Sequence, residues 1–119
     1  MRLSEDQYAN AKEFLEKCRP YLKTKECTFM LSEKNIEFDR CTRLTNEDKI
    51  KIIEKLTADD CVKIEKNNNP NYPDAMVYVF IVEVELDDVV KLYIKMYLVE
   101  EKNYAIVIVI SFHNEGVFE

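Results

Sequence analysis

Residues 76–113 read MVYVFIVEVELDDVVKLYIKMYLVEEKNYAIVIVISFH and contain three runs rich in β-branched and aromatic residues. Such runs are typical of strands, and we expect them at about Met76 to Leu86, Val89 to Val99 and Tyr104 to His113. The connections near Asp87-Asp88 and Glu101-Lys102-Asn103 have the lengths of hairpin turns. The C-terminal half therefore predicts three strands joined in series as an antiparallel meander.

One face of this predicted sheet is almost entirely apolar. Because successive side chains of a strand point to opposite faces, alternate residues form one set. The apolar set comprises Tyr78, Phe80, Val82, Val84, Leu86, Leu92, Ile94, Met96, Leu98, Ile106, Ile108, Ile110 and Phe112. Such a face must be covered, and helices from the N-terminal half are the available cover.

The first of these helices has a clear start signal. Ser4 and Gln7 form a capping box, in which each side chain accepts from the other residue's backbone amide. Pro20 predicts that the regular helix weakens near Arg19, because a proline removes an interior hydrogen bond. A short strand is expected next, from Cys27 to Leu31.

A second helix is predicted to start at Thr45, whose cap is completed by Asp48. The residues expected to be buried are Ile50, Ile53 and Leu56, and those expected to face water are Lys49, Lys51 and Lys55. Thr57 to Asp60 repeats the cap chemistry and predicts a single turn before an additional strand from Cys61 to Lys66.

These elements predict an α+β fold, with N-terminal helices packed on one face of an antiparallel sheet. We expect residues 1–119 to form a single domain, helical over about 4–60 and sheet over about 61–113.

Composition limits the classes of function. A chain of 119 residues with 47% hydrophobic and 34% charged residues is ordinary for a globular protein. No segment is apolar enough to span a bilayer, and the charged N-terminus lacks the apolar stretch of a secretory signal. We therefore expect a cytoplasmic protein without membrane contact. The net charge of −6 disfavours a general basic surface for nucleic acid, while it allows a local basic site or a basic protein partner.

The cysteines do not form a metal-binding pattern. Cys18, Cys27, Cys41 and Cys61 are widely spaced, and the lone His113 is distant from them in sequence. We expect neither a metal nor another cofactor, and four thiols packed as small hydrophobes.

The second face of the predicted sheet is mixed. Its members are Val79, Ile81, Glu83, Glu85, Lys91, Tyr93, Lys95, Tyr97, Val107, Val109, Ser111 and His113, with Lys63 on the preceding strand. If Glu100 faces Tyr104, Tyr93 lies opposite Ser111 and Lys91 opposite His113, with Tyr93 and His113 diagonal neighbours roughly 7–8 Å apart. This grouping predicts a site, although a solvated face where Glu83 and Glu85 pair with Lys91 gives the same pattern.

The succession of segments along the chain is also informative. They are Thr28-Phe29, Lys34 to Phe38, Leu44 to Asp48, Leu56 to Asp60, Val77 to Phe80, Leu92 to Lys95 and the closing Val109-Ile110-Ser111-Phe112-His113. This order resembles the MqsR family of type II toxins, particularly its shorter members from Gram-positive bacteria. The resemblance covers roughly Cys27 to Glu115, and its most specific parts are the paired Leu-Thr steps and Ser-Phe-His.

The resemblance implies a RelE-like fold, an endoribonuclease that cleaves mRNA, and a cognate antitoxin protein as partner, with no DNA contact by the chain itself. The family's basic catalytic positions fall on Lys63 and Tyr93. Its Ser-Phe-Lys ending is Ser111-Phe112-His113 here, which puts His113 in the place of a catalytic lysine.

The implied chemistry is attack of a ribose 2′-hydroxyl on the adjacent phosphorus without a metal. It needs a base, an acid for the leaving oxygen, and positive charge near the phosphate. We assign acid or base catalysis to His113, because histidine titrates near neutrality, and phosphate stabilisation to Lys63 and Lys95. Tyr93 would orient a phosphate or stack on a base. Lys95, Lys91 and Ser111 are the candidate substrate contacts.

A second hypothesis comes from another class of function. An acidic immunity or inhibitor protein without enzymatic activity would use the same polar sheet face to bind a basic protein. This reading requires a contiguous patch of carboxylates, whereas the toxin reading requires Lys63, Tyr93, Lys95 and His113 to converge.

Overall fold

The computed structural model describes residues 3–115, which form three α-helices, a 3₁₀ turn and a five-stranded sheet. The elements are α1 (Glu5–Lys23), β1 (Cys27–Phe29), α2 (Glu33–Thr42), α3 (Asn46–Glu54), the 3₁₀ turn (Ala58–Asp60), β2 (Cys61–Glu65), β3 (Val77–Glu85), β4 (Val89–Glu100) and β5 (Ala105–Asn114). The predicted α+β class is confirmed. The domain limits predicted at residues 1 and 119 lie outside the described residues. Within residues 3–115, none of the helices combines the length and apolar character that a bilayer crossing requires.

The sheet has the strand order β1-β5-β4-β3-β2. The pairs β2–β3, β3–β4 and β4–β5 are antiparallel, so the predicted meander is confirmed and the predicted additional strand β2 extends it. Strand β1 lies at the opposite edge, parallel to β5, and pairs Cys27 with Val107 and Phe29 with Val109. The two strands predicted outside the three-stranded meander, β1 and β2, therefore form the two edges of the sheet.

Helix α1 covers the apolar face of the sheet. Ala11, Leu15 and Leu22 are almost wholly buried in the main hydrophobic core. Phe14 stacks on Tyr78 of β3, with ring centroids 3.9 Å apart and planes inclined by 12°. Burial of each leucine contributes about 1.5–3 kcal/mol to the free energy of unfolding, so this packing fixes α1 to the sheet.

The start of α1 is as predicted and its end is not. Ser4 Oγ accepts the Gln7 N–H at 3.1 Å, and Gln7 Oε1 accepts the Ser4 N–H at 3.0 Å. The predicted weakening near Arg19 is wrong, because the helix continues through Pro20 to Lys23. The last turn buries Leu22, and this contact outweighs the single hydrogen bond that a proline removes.

Helix α3 confirms its predicted start and contradicts one predicted exposure. Thr45 Oγ1 accepts the Asp48 N–H, and Ile50, Ile53 and Leu56 are buried as expected. Lys49 does not face water, since only 2% of its side chain is exposed. Its ammonium group contacts both carboxylate oxygens of Asp39 at 3.0 Å and lies 4.3 Å from the centroid of the Phe29 ring. A charge partner and an aromatic ring together make this buried position tolerable for a lysine.

The register of β4 and β5 differs from the prediction in two steps. Glu100 pairs with Ala105, not Tyr104, so the connecting loop is one residue longer than assumed. A bulge at Ile110 then shifts the register again, because Lys95 pairs with Ser111 while Met96 pairs with Val109. The bulge restores the predicted faces beyond Ile110.

The longer loop changes the faces of the first half of β5. Val107 and Val109 lie in the main core, although the prediction placed them on the mixed face. Ile106, Ile108 and Ile110 lie instead with Val77, Tyr97 and Val99 on the other side of the sheet. Loop length determines register in a hairpin, and without an ideal turn sequence it could not be read from the residues.

Candidate functional site

The mixed face of the sheet carries an open cleft of about 700 Å³. Strands β2 to β5 form its floor, and the start of α2 borders it. The lining residues are Ser32, Lys34, Val62, Lys63, Val79, Tyr93, Lys95, Ile110, Ser111 and His113. The structure thus brings together five of the predicted site residues, namely Lys63, Tyr93, Lys95, Ser111 and His113.

A row of four residues crosses the floor of the cleft. Strand pairing aligns Lys63 with Val79, Val79 with Lys95, and Lys95 with Ser111. Neighbouring strands lie about 4.8 Å apart, so the row spans roughly 14 Å. Val79 is 1% exposed, and the two lysines lie on either side of it. The row therefore has polar groups on both sides of an apolar centre.

Tyr93 and His113 form the adjacent row. They are direct cross-strand partners, so the predicted pairing of Tyr93 with Ser111 and its diagonal relation to His113 are wrong. Their rings stack with centroids 5.5 Å apart and planes inclined by 23°. His113 is only 3% exposed, and its Nδ1 lies 2.9 Å from the carbonyl oxygen of Asn114. Because a carbonyl oxygen can only accept, Nδ1 carries a hydrogen and donates this bond.

Lys91 lies outside the lining of the cleft. Its register partner is Glu83 on β3, so the predicted pairing of Lys91 with His113 is wrong. Both Lys91 and Glu83 are exposed, as expected for a solvated part of the sheet. The mixed face therefore divides into a concave part and a solvated part.

Glu65 connects the two lysines of the cleft floor, and the sequence reasoning missed it. Its Oε1 lies 2.8 Å from Lys95 Nζ, and its Oε2 lies 3.3 Å from Lys63 Nζ. The hydrogen bond from Lys95 makes the largest contribution to lowering the pKa of the Glu65 carboxyl below its usual value. Alternation along β2 places Glu65 on the face of Lys63, which was the available signal.

Asn35 holds the backbone on both sides of Ser111. Its Nδ2 donates to the carbonyl oxygens of Met30 at 2.8 Å and Ile110 at 2.9 Å, and its Oδ1 accepts the Phe112 N–H at 2.9 Å. The side chain is buried, and it continues the pairing of β5 beyond the end of β1. It thereby fixes the strand that carries Ser111 and His113.

Helix α2, which carries Asn35, was not predicted. Its sequence EKNIEFDRCT buries Asn35 and Phe38, so it lacks the apolar periodicity that marks a helix. The local signal was Ser32, whose Oγ accepts the Asn35 N–H at 3.2 Å as an N-cap.

The cleft is locally cationic in an acidic chain. Lys34, Lys63 and Lys95 line it, and the Glu65 carboxylate between Lys63 and Lys95 offsets one of these three positive charges. This is the local basic site that a net charge of −6 leaves open. Anionic groups are the ligands that such a surface favours.

The cysteines lie apart from the cleft lining. Burial raises the pKa of the Cys18 and Cys27 thiols to about 12, and Cys61 is also buried. Cys41 is exposed, so the prediction that all four pack as small hydrophobes is wrong for this residue. Within residues 3–115, no group of three or more His, Cys, Asp or Glu side chains is arranged to hold a metal ion.

Comparisons of the chain with protein-family models, curated proteins and solved structures find no significant match.

Proposed function

We propose that this chain is a metal-independent endoribonuclease that cleaves mRNA, a toxin of the MqsR type with a RelE-like fold. The observation that carries the proposal is the cleft in which Lys63, Lys95, Tyr93 and His113 converge. The proposal includes neutralisation by a cognate antitoxin protein and action in the cytoplasm, where mRNA is present. The sequence resemblance and the cationic cleft support it from independent directions.

The proposed reaction needs three functions from the cleft. A base takes the proton of the ribose 2′-hydroxyl while its oxygen attacks the adjacent phosphorus. The bond from phosphorus to the 5′-oxygen breaks, and an acid supplies the proton that this oxygen requires. Positive groups stabilise the extra charge on the phosphorane oxygens. The products are a 2′,3′-cyclic phosphate and a 5′-hydroxyl end.

The geometry supports a division of these functions. His113 exchanges the proton through Nε2, because its Nδ1 hydrogen bonds to the Asn114 carbonyl. Lys63 and Lys95 stabilise the phosphate from the cleft floor, and Ser111, beside Lys95, offers a hydroxyl hydrogen bond. Tyr93 stacks on His113 and restricts its ring orientation. Two substrate-facing elements, β4 and β5, thus supply most of the site.

The direct test is cleavage of a labelled single-stranded RNA by the purified chain in EDTA. The ends are identified by kinase labelling without phosphatase treatment, because 5′-hydroxyl ends accept label directly. His113→Gln should lower the cleavage rate by about 10²–10⁴-fold, the usual contribution of a general acid or base to the rate. Lys95→Gln should lower it strongly, while Lys51→Gln removes the same charge from the exposed surface of α3 and should leave it unchanged. Equal rates for the two lysine variants, or no cleavage by the folded wild type, would remove the proposal.

The second candidate function is a non-enzymatic module that binds a basic protein. The observation that favours it is the end of the β3–β4 hairpin, where Glu83, Glu85, Asp87 and Asp88 are all exposed. This group meets the requirement for a carboxylate patch on one end of the sheet. A folded chain that leaves RNA intact and loses a basic protein partner when Glu85 and Asp87 become Gln and Asn would establish this function.

A further inference from the structure

Two lysines of the cleft share one carboxylate. Lys95 Nζ contacts Glu65 Oε1 at 2.8 Å, while Lys63 Nζ contacts Oε2 at 3.3 Å. Each carboxylate oxygen therefore accepts from a different ammonium group, and the cluster keeps one net positive charge.

Strand order explains how the three groups meet. Lys63 and Glu65 lie two residues apart on β2, and Lys95 lies on β4, with only Val79 of β3 between the two lysines. Val79 is 1% exposed and forms an apolar floor beneath them. The ammonium groups are thus held over one spot in the cleft, not spread over the surface.

The cluster is accessible enough for its ionic contacts to exchange. Side-chain exposure is 24% for Lys95, 29% for Glu65 and 57% for Lys63. Exposed and half-buried ion pairs of this kind are weak compared with buried ones, because water and salt compete for both partners. An incoming anion can therefore replace the carboxylate without disrupting the core.

We propose that Lys63 and Lys95 form a binding site for one phosphate group, and that Glu65 occupies this site as an internal counterion until a phosphate displaces it. The two non-bridging oxygens of a phosphodiester present the same paired acceptors that the Glu65 carboxylate presents to the lysines. If the phosphate belongs to RNA, this inference rests on the proposed function. The ammonium pair itself also recognises a free phosphate compound, so both sources must be tested.

This arrangement gives Glu65 a regulatory role. While its carboxylate bridges the lysines, a polyanion gains little from the cleft, so non-specific binding is suppressed. A ligand with further contacts, for example to Tyr93 or Ser111, can offset the displacement of the carboxylate. The counterion therefore raises selectivity at the expense of affinity.

The test measures binding with ligands that cannot be cleaved. Isothermal calorimetry with inorganic pyrophosphate probes a free phosphate compound, and a 2′-O-methyl oligoribonucleotide, which lacks the attacking hydroxyl, probes the phosphodiester. Glu65→Gln keeps the shape of the side chain and should increase affinity for the oligonucleotide about tenfold. It should also steepen the salt dependence of log K by about 0.7, the value for one additional phosphate contact on a single strand. Lys95→Gln in the Glu65→Gln background should abolish this gain.

Glu83→Gln is the matched control, because it removes one exposed carboxylate from the same face outside the cleft lining. Its effect on affinity should stay below about twofold. Unchanged or weaker binding by a folded Glu65→Gln variant would overturn the inference and leave Glu65 as a residue that only positions the lysines. A gain for pyrophosphate alone would overturn the RNA source and retain the phosphate site. Because neither ligand is cleaved, these results are independent of whether the wild type is a nuclease.

Discussion

Asn35 is a buried amide with three hydrogen bonds: one to the Met30 carbonyl, and two, to the Ile110 carbonyl and the Phe112 N–H, that connect α2 to the bulge in β5. Replacing it with alanine leaves the Ile110 carbonyl and the Phe112 N–H without these partners. We expect Asn35→Ala to lower the free energy of unfolding by about 2–3 kcal/mol, measured by urea denaturation. Asn71→Ala changes an exposed loop asparagine and should cost under about 0.5 kcal/mol. Equal stability of the two variants would contradict the role given to Asn35.

Lys49 and Asp39 are the second residue-scale feature, because a nearly inaccessible ammonium group depends on one carboxylate. Asp39→Ala should lower the free energy of unfolding by about 2–3 kcal/mol. This is less than for a fully buried pair, since the Asp39 side chain is 35% exposed. Adding Lys49→Met removes the uncompensated charge and should recover most of the loss, as thermal or urea unfolding would measure. A double variant no more stable than Asp39→Ala would contradict this account.

Neither residue could be assigned from the sequence. Asn35 bonds to residues 75 and 77 positions away, and its own neighbours contain no sign of that contact. Lys49 follows a helical cap and precedes Ile50, so its polar type predicted exposure. The burial of Asn35 and of Lys49 is decided by partners on other elements. The positions of these partners depend on the complete fold.

At the scale of elements, the N-terminus of α3 makes stability depend on acid pH. The Thr45 N–H donates to Asp48 Oδ2 at 2.9 Å, and this contact lowers the pKa of the Asp48 carboxyl below its usual 3.8. A carboxyl whose pKa is lower in the folded state than in the unfolded state stabilises the fold at pH values above its unfolded-state pKa. The contribution is lost as the pH falls through the folded pKa.

Asp48→Asn should therefore lose stability relative to wild type at pH 6, and the difference should shrink below about pH 4. Urea unfolding at several pH values measures this dependence. Asp87→Asn lies in the β3–β4 connection and should not show the shrinking difference. A constant difference between wild type and Asp48→Asn from pH 6 to pH 3 would contradict the assignment.

Elements were predictable where the signal is local. Caps at Ser4 and Thr45 and the alternation in β3 depend on residues a few positions apart, and all are confirmed. The path of β5 was not predictable, because the bulge at Ile110 depends on loop length and on Asn35. Helix α2 was missed because its buried face contains a polar residue.

At the scale of the whole molecule, an acidic chain places Lys34, Lys63 and Lys95 in a concave part of one sheet face. Residue alternation was sufficient to group Lys63, Lys95, Tyr93, Ser111 and His113 on one face. It could not separate Lys91 from the cleft or show that Glu65 bridges the lysines, since both depend on register. Beyond the bulge the register differs from the predicted one by two residues, which changes the individual pairs but leaves each side chain on its predicted face.

The most direct measurement of the central claim is induction of this chain in bacteria, with growth recorded and the 5′ ends of total mRNA mapped. The account predicts growth arrest and new 5′-hydroxyl ends for wild type and for Lys51→Gln, and relief of both effects for His113→Ala and Lys95→Gln. Matched accumulation of the four proteins, with cooperative unfolding of each after purification, separates loss of activity from loss of fold. Normal growth and unchanged mRNA ends with abundant folded wild type would contradict the claim that this cleft cleaves RNA.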